Sequence, residues 1–212
     1  MIRGSLHKGI ADIGYKIHII YAATLNHTNL DIEPRRLSGT YGVMSLRKAH
    51  KSDASSIAAI SIEVWLGTYL KHGVSGFIAD YALNEFTTAK TEALISNPDE
   101  FILVSENKDG IDGFIRVSSE SKAPVAGCSE MEIATFYVQP RHHGKGIGGR
   151  LLDAALRYCK EQSAESVWLT TNAENDPAID FYLARGFEQI GETHFRIEDQ
   201  GYLNNVYLYR LP

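Results

Sequence analysis

Two periods of hydrophobicity run along this chain, and from Met44 onward they alternate clearly enough to place its elements. Residues 44–49 read as a short strand. Ser52 offers a helix N-cap ahead of Ile57, Ile60, Ile62, Val64 and Leu66, a mostly helical spacing that reaches Leu70. A second helical stretch passes through Phe77, Ile78, Tyr81, Phe86 and Leu94. It stops at Asn97-Pro98, because proline disfavours helical backbone at the residue before it. Residues 101–105 and 111–117 are strands, and Asn107-Lys108-Asp109-Gly110 between them carries hairpin chemistry. Residues 131–138 form a third strong strand, 139–145 a loop, and 147–159 an amphipathic helix. Residues 167–171 are another strand, and 177–185 a helix closed by Gly186 just past its end. Two strands, 187–197 and 202–211, finish the chain around Asp199-Gln200-Gly201. The order β-α-α-β-β-β-α-β-α-β-β describes a mixed α/β domain.

Residues 1–43 follow neither period and end in the turn-rich Glu33-Pro34-Arg35-Arg36-Leu37-Ser38-Gly39-Thr40. They read as an N-terminal extension to a domain spanning 44–212. Three origins stay open: an arm packed on the domain or on a second copy in a homodimer, an upstream extension ahead of a start at Met44, or an expression remnant.

Composition narrows the function classes. A chain of 212 residues with 44% hydrophobic and 22% charged residues has the balance of a globular domain. Its net charge of −5 speaks against nucleic acid, whose backbone recruits clustered Lys and Arg. Cys128 and Cys159 make neither a disulfide framework nor a metal spacing, so a reduced, cytoplasmic setting is the expectation and Cys159 reads as a small core residue. No apolar run approaches the ~18 residues of a membrane span, so no membrane partner and no signal peptide are expected.

Candidate chemistry concentrates where the third strand turns into the amphipathic helix: Val138-Gln139-Pro140-Arg141-His142-His143-Gly144-Lys145-Gly146-Ile147-Gly148-Gly149-Arg150. Glycines let backbone N–H groups approach a ligand, a helix N-terminus adds unpaired donors, and Arg141, Lys145 and Arg150 add charge; a pyrophosphate suits such a corner. Gly144, Gly146 and Gly149 do satisfy the dinucleotide spacing G-x-G-x-x-G. In that fold, however, the first glycine follows the strand directly and an acid closes the next strand, whereas here the next strand ends in Thr171-Asn172. A kinase-type phosphate loop fails outright, and a bland glycine-rich turn is the remaining structural alternative. Adjacent histidines such as His142 and His143 point apart, and no third ligand stands at a suitable spacing, so no metal is expected.

Arg141-x-x-Gly144-x-Gly146 resembles the signature of the GNAT acetyltransferases, in which Gln or Arg is followed by x-x-G-x-G/A. Downstream, Asn175-Asp176-Pro177-Ala178-Ile179-Asp180-Phe181-Tyr182, with Gly186-Phe187 after it, is similar to that family's second region, N-x-x-A-x-x-x-Y-x-x-x-G-F. Asn175 and Tyr182 are about two helical turns apart, hence on one face. The resemblance covers residues 44–212. It implies a mixed, mostly antiparallel sheet of about seven strands with helices on both faces. It also implies acetyl-CoA as cosubstrate. Backbone amides at Phe136, Tyr137 and Val138 would meet its acetyl and pantetheine groups. Residues Arg141, His142, His143, Gly144, Lys145, Gly146, Ile147, Gly148 and Gly149 would surround its pyrophosphate, with Asn175 and Tyr182 facing the same molecule. Transfer would be direct, with Tyr182 protonating the departing sulfur.

An alkylammonium must lose a proton before it attacks a thioester. Some family members carry a glutamate just after the equivalent of Trp168-Leu169, but this chain has Thr170 there. Glu132 instead matches the offset used by members resembling histone acetyltransferases. Strict alternation puts Ala134 and Phe136 on its face and Ile133, Thr135 and Tyr137 on the other. Between Ser52 and Glu106, Asp53, Glu63, Asp80, Glu85, Glu92, Asp99, Glu100 and Glu106 outnumber Lys71 and Lys90. Such a face would attract polyamines or basic peptides, although a charge run is more often only a solvated surface. Gly186-Phe187-Glu188-Gln189-Ile190-Gly191 and the residues through Ile197 resemble Pai-type spermidine/spermine acetyltransferases. The expected acceptor is therefore a polyamine or another small-molecule amine. An acetyltransferase of protein N-termini or lysines, and a non-catalytic acetyl-CoA-binding module, stay open as alternatives.

Overall fold

The computed structural model describes residues 45–70 and 72–212; the extension expected at 1–43 lies outside the described residues. The chain runs β1 (Ser45–Lys48), α1 (Ala54–Tyr69), α2 (Gly76–Glu85), α3 (Thr88–Ser96), β2 (Glu100–Asn107), β3 (Gly110–Ser118) and β4 (Glu132–Val138). It continues through α4 (Ile147–Glu161), β5 (Ser166–Asn172), α5 (Asp176–Ala184), β6 (Glu188–Ile197) and β7 (Gln200–Arg210).

Two expectations change near the N-terminal helices. Ser52 is not the cap of α1. The chain enters that helix through a 3-10 turn, Lys51–Asp53, in which the Asp53 carboxylate accepts the His50 N–H at 2.7 Å. Arg47 then holds Asp53 at 2.7 Å and Glu106 at 2.9 Å, tying the turn to β1 and β2. The single helix expected from Phe77 to Leu94 is two helices, α2 and α3. Phe86 leaves helical geometry with ψ 63°, and the Thr87 hydroxyl caps α3 by accepting the Lys90 N–H. The apolar period survives this break because Ile78, Ala82, Phe86 and Leu94 all reach one core.

The strands form one sheet in the order β1-β2-β3-β4-β5-β7-β6. Every neighbouring pair is antiparallel except β4–β5. Gly186, at φ 85°, ends α5 as expected, and the Phe187 N–H returns to the Tyr182 carbonyl at 3.0 Å. Helices cover both faces. On one, Ile57, Ile60, Val64 and Trp65 of α1 join α2 and α3 over β2, β3 and β4. On the other, Ile147, Leu151, Leu152, Ala155 and Cys159 of α4 pack with Ala178 and Tyr182 of α5. Burial at that core pushes the Cys159 thiol up to about 12. No helix among the described residues is long and apolar enough to cross a membrane.

An irregularity in β4 decides which side chains face which helix layer. Against β3, Thr135 pairs with Arg116 and Ile133 with Val117, leaving Ala134 without an opposite residue. This bulge inverts the alternation. Ile133, Phe136 and Val138 therefore share the α4 face, and Tyr137 joins the α1 core. Glu132 lies on the face of Thr135 and Tyr137, not on that of Phe136 as strict alternation had it.

Close packing at the end of β4 rests on Gly113. A Cβ there would sit 2.9 Å from the Tyr137 carbonyl oxygen and 3.3 Å from Val138 Cα, backbone atoms that cannot rotate aside. Gly113→Ala is expected to destabilise the fold by roughly 1–3 kcal/mol. Urea denaturation should show a lower midpoint with an unchanged slope. A wild-type midpoint would mean that β3 and β4 spread without cost.

Candidate active site

The parallel strands β4 and β5 pair only at their start. Glu132 stands opposite Trp168, whose N–H reaches the Met131 carbonyl at 3.1 Å, and no later residue of either strand pairs across the seam. Beyond that point each strand is held from its outer side alone. Val138 still pairs with Gly113 of β3, and Asn172 still pairs with Asn204 of β7. A wedge therefore opens through the sheet. Gln139 gives its N–H to Asp112 of β3 at 2.9 Å. Alternation then turns the Tyr137 N–H toward β3 as well, and those of Phe136 and Val138 into the wedge.

The glycine corner lies at the end of β4, on the α4 side. Gly144 and Gly146 have φ of 74° and 75°, and a Cβ at either would meet no protein atom. Backbone conformation, not crowding, demands glycine at both. Gly146 is the N-cap of α4 and supplies no side-chain cap, so the first-turn N–H groups at Ile147, Gly148 and Gly149 are left for a ligand. A Cβ at Gly148 would meet the Phe136 ring at 3.5 Å, an ordinary van der Waals contact.

The cations expected here are arranged differently from one another. Lys145 is exposed beside the glycines. Arg141, 63% exposed, reaches across to α1, where Glu63 accepts from it at 3.2 Å and from Gln139 at 2.8 Å. His143 donates Nε2–H to the Val138 carbonyl at 2.9 Å, whereas His142 lies 3.6 Å from Asp112. The two rings point apart and brace the loop against β3 and β4.

Asn175 and Tyr182 meet on α5, against the same side of the wedge. Asn175 is 5% exposed, and neither end of its side-chain amide has a hydrogen-bond partner. Tyr182 is fully buried between Phe136, Phe181, Phe187 and Tyr207, and its hydroxyl has no partner either. Burial holds that phenol well above its ordinary value, with the Tyr137 phenol pushing the same way. Two buried polar groups left unmet on one helix cost stability in an isolated domain, so their arrangement suits a ligand that meets them. These groups, the uncapped α4 N-terminus and the wedge-facing N–H groups fit an elongated molecule with a phosphate end and amide groups along its length.

Glu132 is buried at the root of the wedge on the α1 side. Two further groups on that side, Asn204 and Tyr69, have no counterpart among the candidates the sequence offers. Thr170, Asn204, Tyr137 and Tyr69 all place buried polar atoms there without partners. The signal was available at Asn204-Asn205, a pair of amides inside the otherwise apolar run from Tyr202 to Leu208. The wedge explains why polar side chains are tolerated at that point of a strand.

A profile of the acetyltransferase (GNAT) family matches residues 71–187. The chain is 24% identical over 146 residues to an uncharacterized N-acetyltransferase of Mycobacterium bovis, covering 69% of this chain and 90% of that one. It is 27% identical over 157 residues to the uncharacterized N-acetyltransferase YhfO of Bacillus subtilis, covering 72% and 95%. Among solved structures, the N-acetyltransferase PaiA from Thermoplasma acidophilum, in complex with coenzyme A, superposes with a TM-score of 0.58 at 20% identity, over 76% of this chain and 97% of that one. YncA from Salmonella typhimurium, solved with acetyl-CoA, gives 0.62 at 19% identity, over 80% and 94%. These two likenesses are likenesses of fold. Because the family profile runs from just after α1 to Phe187, more than half of the chain, the protein belongs to the acetyltransferase (GNAT) family.

Proposed function

We propose that the protein moves an acetyl group from acetyl-CoA to a primary amine, directly, with both bound at once. The observation that carries this reading is the pair of buried, unmet polar groups on α5, the Asn175 amide and the Tyr182 hydroxyl, beside the open seam. Acetyl-CoA, when bound, supplies an acetyl group already activated as a thioester. The first-turn N–H groups of α4 would hold its pyrophosphate, helped by Lys145 and by Arg141 once released from Glu63. The N–H groups of Phe136 and Val138 and the Asn175 amide would orient the chain between phosphate and thioester. Tyr182 keeps its proton on Oη throughout the working pH range, because burial disfavours the phenolate, so the proton stays available for a departing thiolate. Glu132, at the root of the wedge on the opposite face, is the proposed acceptor of the amine's proton.

Sequence resemblance and charge point differently on the acceptor. The resemblance of residues 186–197 to the Pai-type enzymes favours a polyamine. Charge does not add to that. Asp53 and Glu106 hold Arg47, Glu63 holds Arg141, Glu85 holds Lys90, and Glu100 holds Arg116. Most of the acids that suggested a cation-attracting face are thus engaged within the chain, and a partnered carboxylate projects little field onto a distant cation. Calorimetric titration with acetyl-CoA, followed by an acetylation assay across polyamines, aminoglycosides and peptides, tests the reading. Binding of a nicotinamide dinucleotide in preference to CoA would overturn it.

Three variants probe the geometry. Gly146→Ala forces a side chain into left-handed backbone, costing about 1–2 kcal/mol. Its affinity for CoA should fall by roughly tenfold, read by calorimetry. Tyr182→Phe deletes one hydroxyl and keeps the ring's packing, so CoA affinity should hold while kcat falls about 100-fold or more. Unchanged kcat would give the acid role to another group. Glu132→Gln should lower kcat/KM most at neutral pH, with the defect shrinking as pH rises, because more of the acceptor is then already neutral. A raised KM at every pH with kcat spared would instead make Glu132 an attractor of the cationic acceptor, and wild-type values throughout would remove it from both roles.

A further inference from the structure

The unmet polar groups divide between the two faces of the wedge. Asn175 and Tyr182 lie on the α4 side, and a second set lies on the α1 side. Val167 and Leu169 of β5 and Tyr207 of β7 belong to the α4-side core, so Thr170 and Asn172 of β5 and Asn204 of β7 face the other way. Thr170 and Asn204 are both 0% exposed. The Thr170 hydroxyl and both ends of the Asn204 amide have no hydrogen-bond partner. Tyr69, from the end of α1, brings its phenol near enough to the Asn172 and Asn204 side chains for both to favour its ionised form, but no hydrogen bond of good geometry joins it to either. Burial raises this phenol above its ordinary range, so it stays protonated. The Trp65, Tyr81 and Phe195 rings pack behind it, and Tyr202 lies edge-on at 5.4 Å.

Beyond Glu132 at its root this wall carries no charge, and its chemistry is paired. Asn204 offers one acceptor and two donors. An all-donor ligand such as a polyamine would meet its Oδ1 and leave its Nδ2 buried and unmet, a state that costs binding. A carboxylate would meet Nδ2 and leave Oδ1 unmet, and the buried guanidinium on this face, that of Arg116, already holds Glu100 and Thr135. A carboxamide, carrying both a C=O and an N–H, meets both ends together.

We propose that this wall selects an acceptor with an amide beside its amine, an α-amino amide of the aminoacyl or peptide N-terminal type. In this assignment Asn204 pairs with the acceptor's amide, and Tyr69 and Thr170 complete its hydrogen bonds. The assignment rests on the acetyl-transfer reading above and makes Asn204 a specificity-determining residue. It reverses the acceptor preference that the sequence suggested.

The test uses the full chain with acetyl-CoA and four acceptors: alaninamide, a short peptide with N-terminal alanine, isopropylamine as the matched amine lacking an amide, and spermidine. Counted per unprotonated amine at the assay pH, the kcat/KM for alaninamide or the peptide should exceed that for isopropylamine at least about tenfold, the worth of two hydrogen bonds to buried groups. Asn204→Leu should collapse that ratio, and Tyr69→Phe should lower it several-fold. Use of the peptide but not alaninamide would identify the source as a polypeptide N-terminus, and equal use would identify small amides; either supports the assignment. Preference for spermidine, or an unaltered ratio in both variants, would overturn it. Calorimetry with CoA separates the two levels. Failure of the wild-type chain to bind CoA sinks the acetyl-transfer reading itself, whereas CoA binding with acetylation indifferent to the amide sinks only this one. If Asn204→Leu does not bind CoA because it misfolds, Tyr69→Phe carries the test.

Discussion

Everything about this site depends on two neighbouring strands that stop pairing. A parallel pair buried in mid-sheet ordinarily satisfies its backbone groups along its whole length, since each unmet group costs free energy. Here β4 and β5 meet at Glu132 and Trp168 and then part. What makes the parting affordable is that each strand keeps its outer partner to the end, β3 for β4 and β7 for β5. The sheet is in effect two sub-sheets, β1-β2-β3-β4 and β5-β7-β6, joined at one root. Sheet twist carries them away from each other beyond that root, and the bulge at Ala134 adds to the twist of β4.

That opening gives the protein two faces with different chemistry around one gap. Toward α4 it presents glycine backbone, an uncapped helix N-terminus, and the buried Asn175 and Tyr182. Toward α1 it presents Glu132, Thr170, Asn204 and Tyr69. In the proposed reading a long molecule held on the first face would have its reactive end at the gap, and the second face would meet what approaches from the other side. The Glu63 clasp on Gln139 and Arg141 links the two, because it ties the glycine corner to the helix that walls the opposite face.

Charge, by contrast, serves mostly to hold the N-terminal half together. Arg47 bridges the turn before α1 to β2, and Lys90 with Glu85 spans the break between α2 and α3. Arg116, buried between β2 and β4, holds Glu100 and Thr135. Such pairs fix geometry where removing one partner would strand a buried charge. They also explain why an excess of acids in the sequence does not translate into an attractive surface.

The sequence by itself determined the elements, their order, and the half of the site that is local in the chain. Hydrophobic period separates helix from strand, and a glycine corner between them needs only the left-handed backbone that Gly144 and Gly146 adopt. Asn175 and Tyr182 share a face because helical geometry alone puts them there. Only the tertiary structure decided the rest. The break at Phe86 was hidden because both helices feed one core, so the apolar period ran on across it. The face of Glu132 was misread because a bulge depends on the pairing between β3 and β4, and one unpaired residue inverts every side chain beyond it. Asn204, Thr170 and Tyr69 come from β7, β5 and α1, far apart in sequence, and apart from the amide pair Asn204-Asn205 in an apolar run nothing local sets them off from ordinary strand and helix residues. They become a wall only where two strands that should have paired do not.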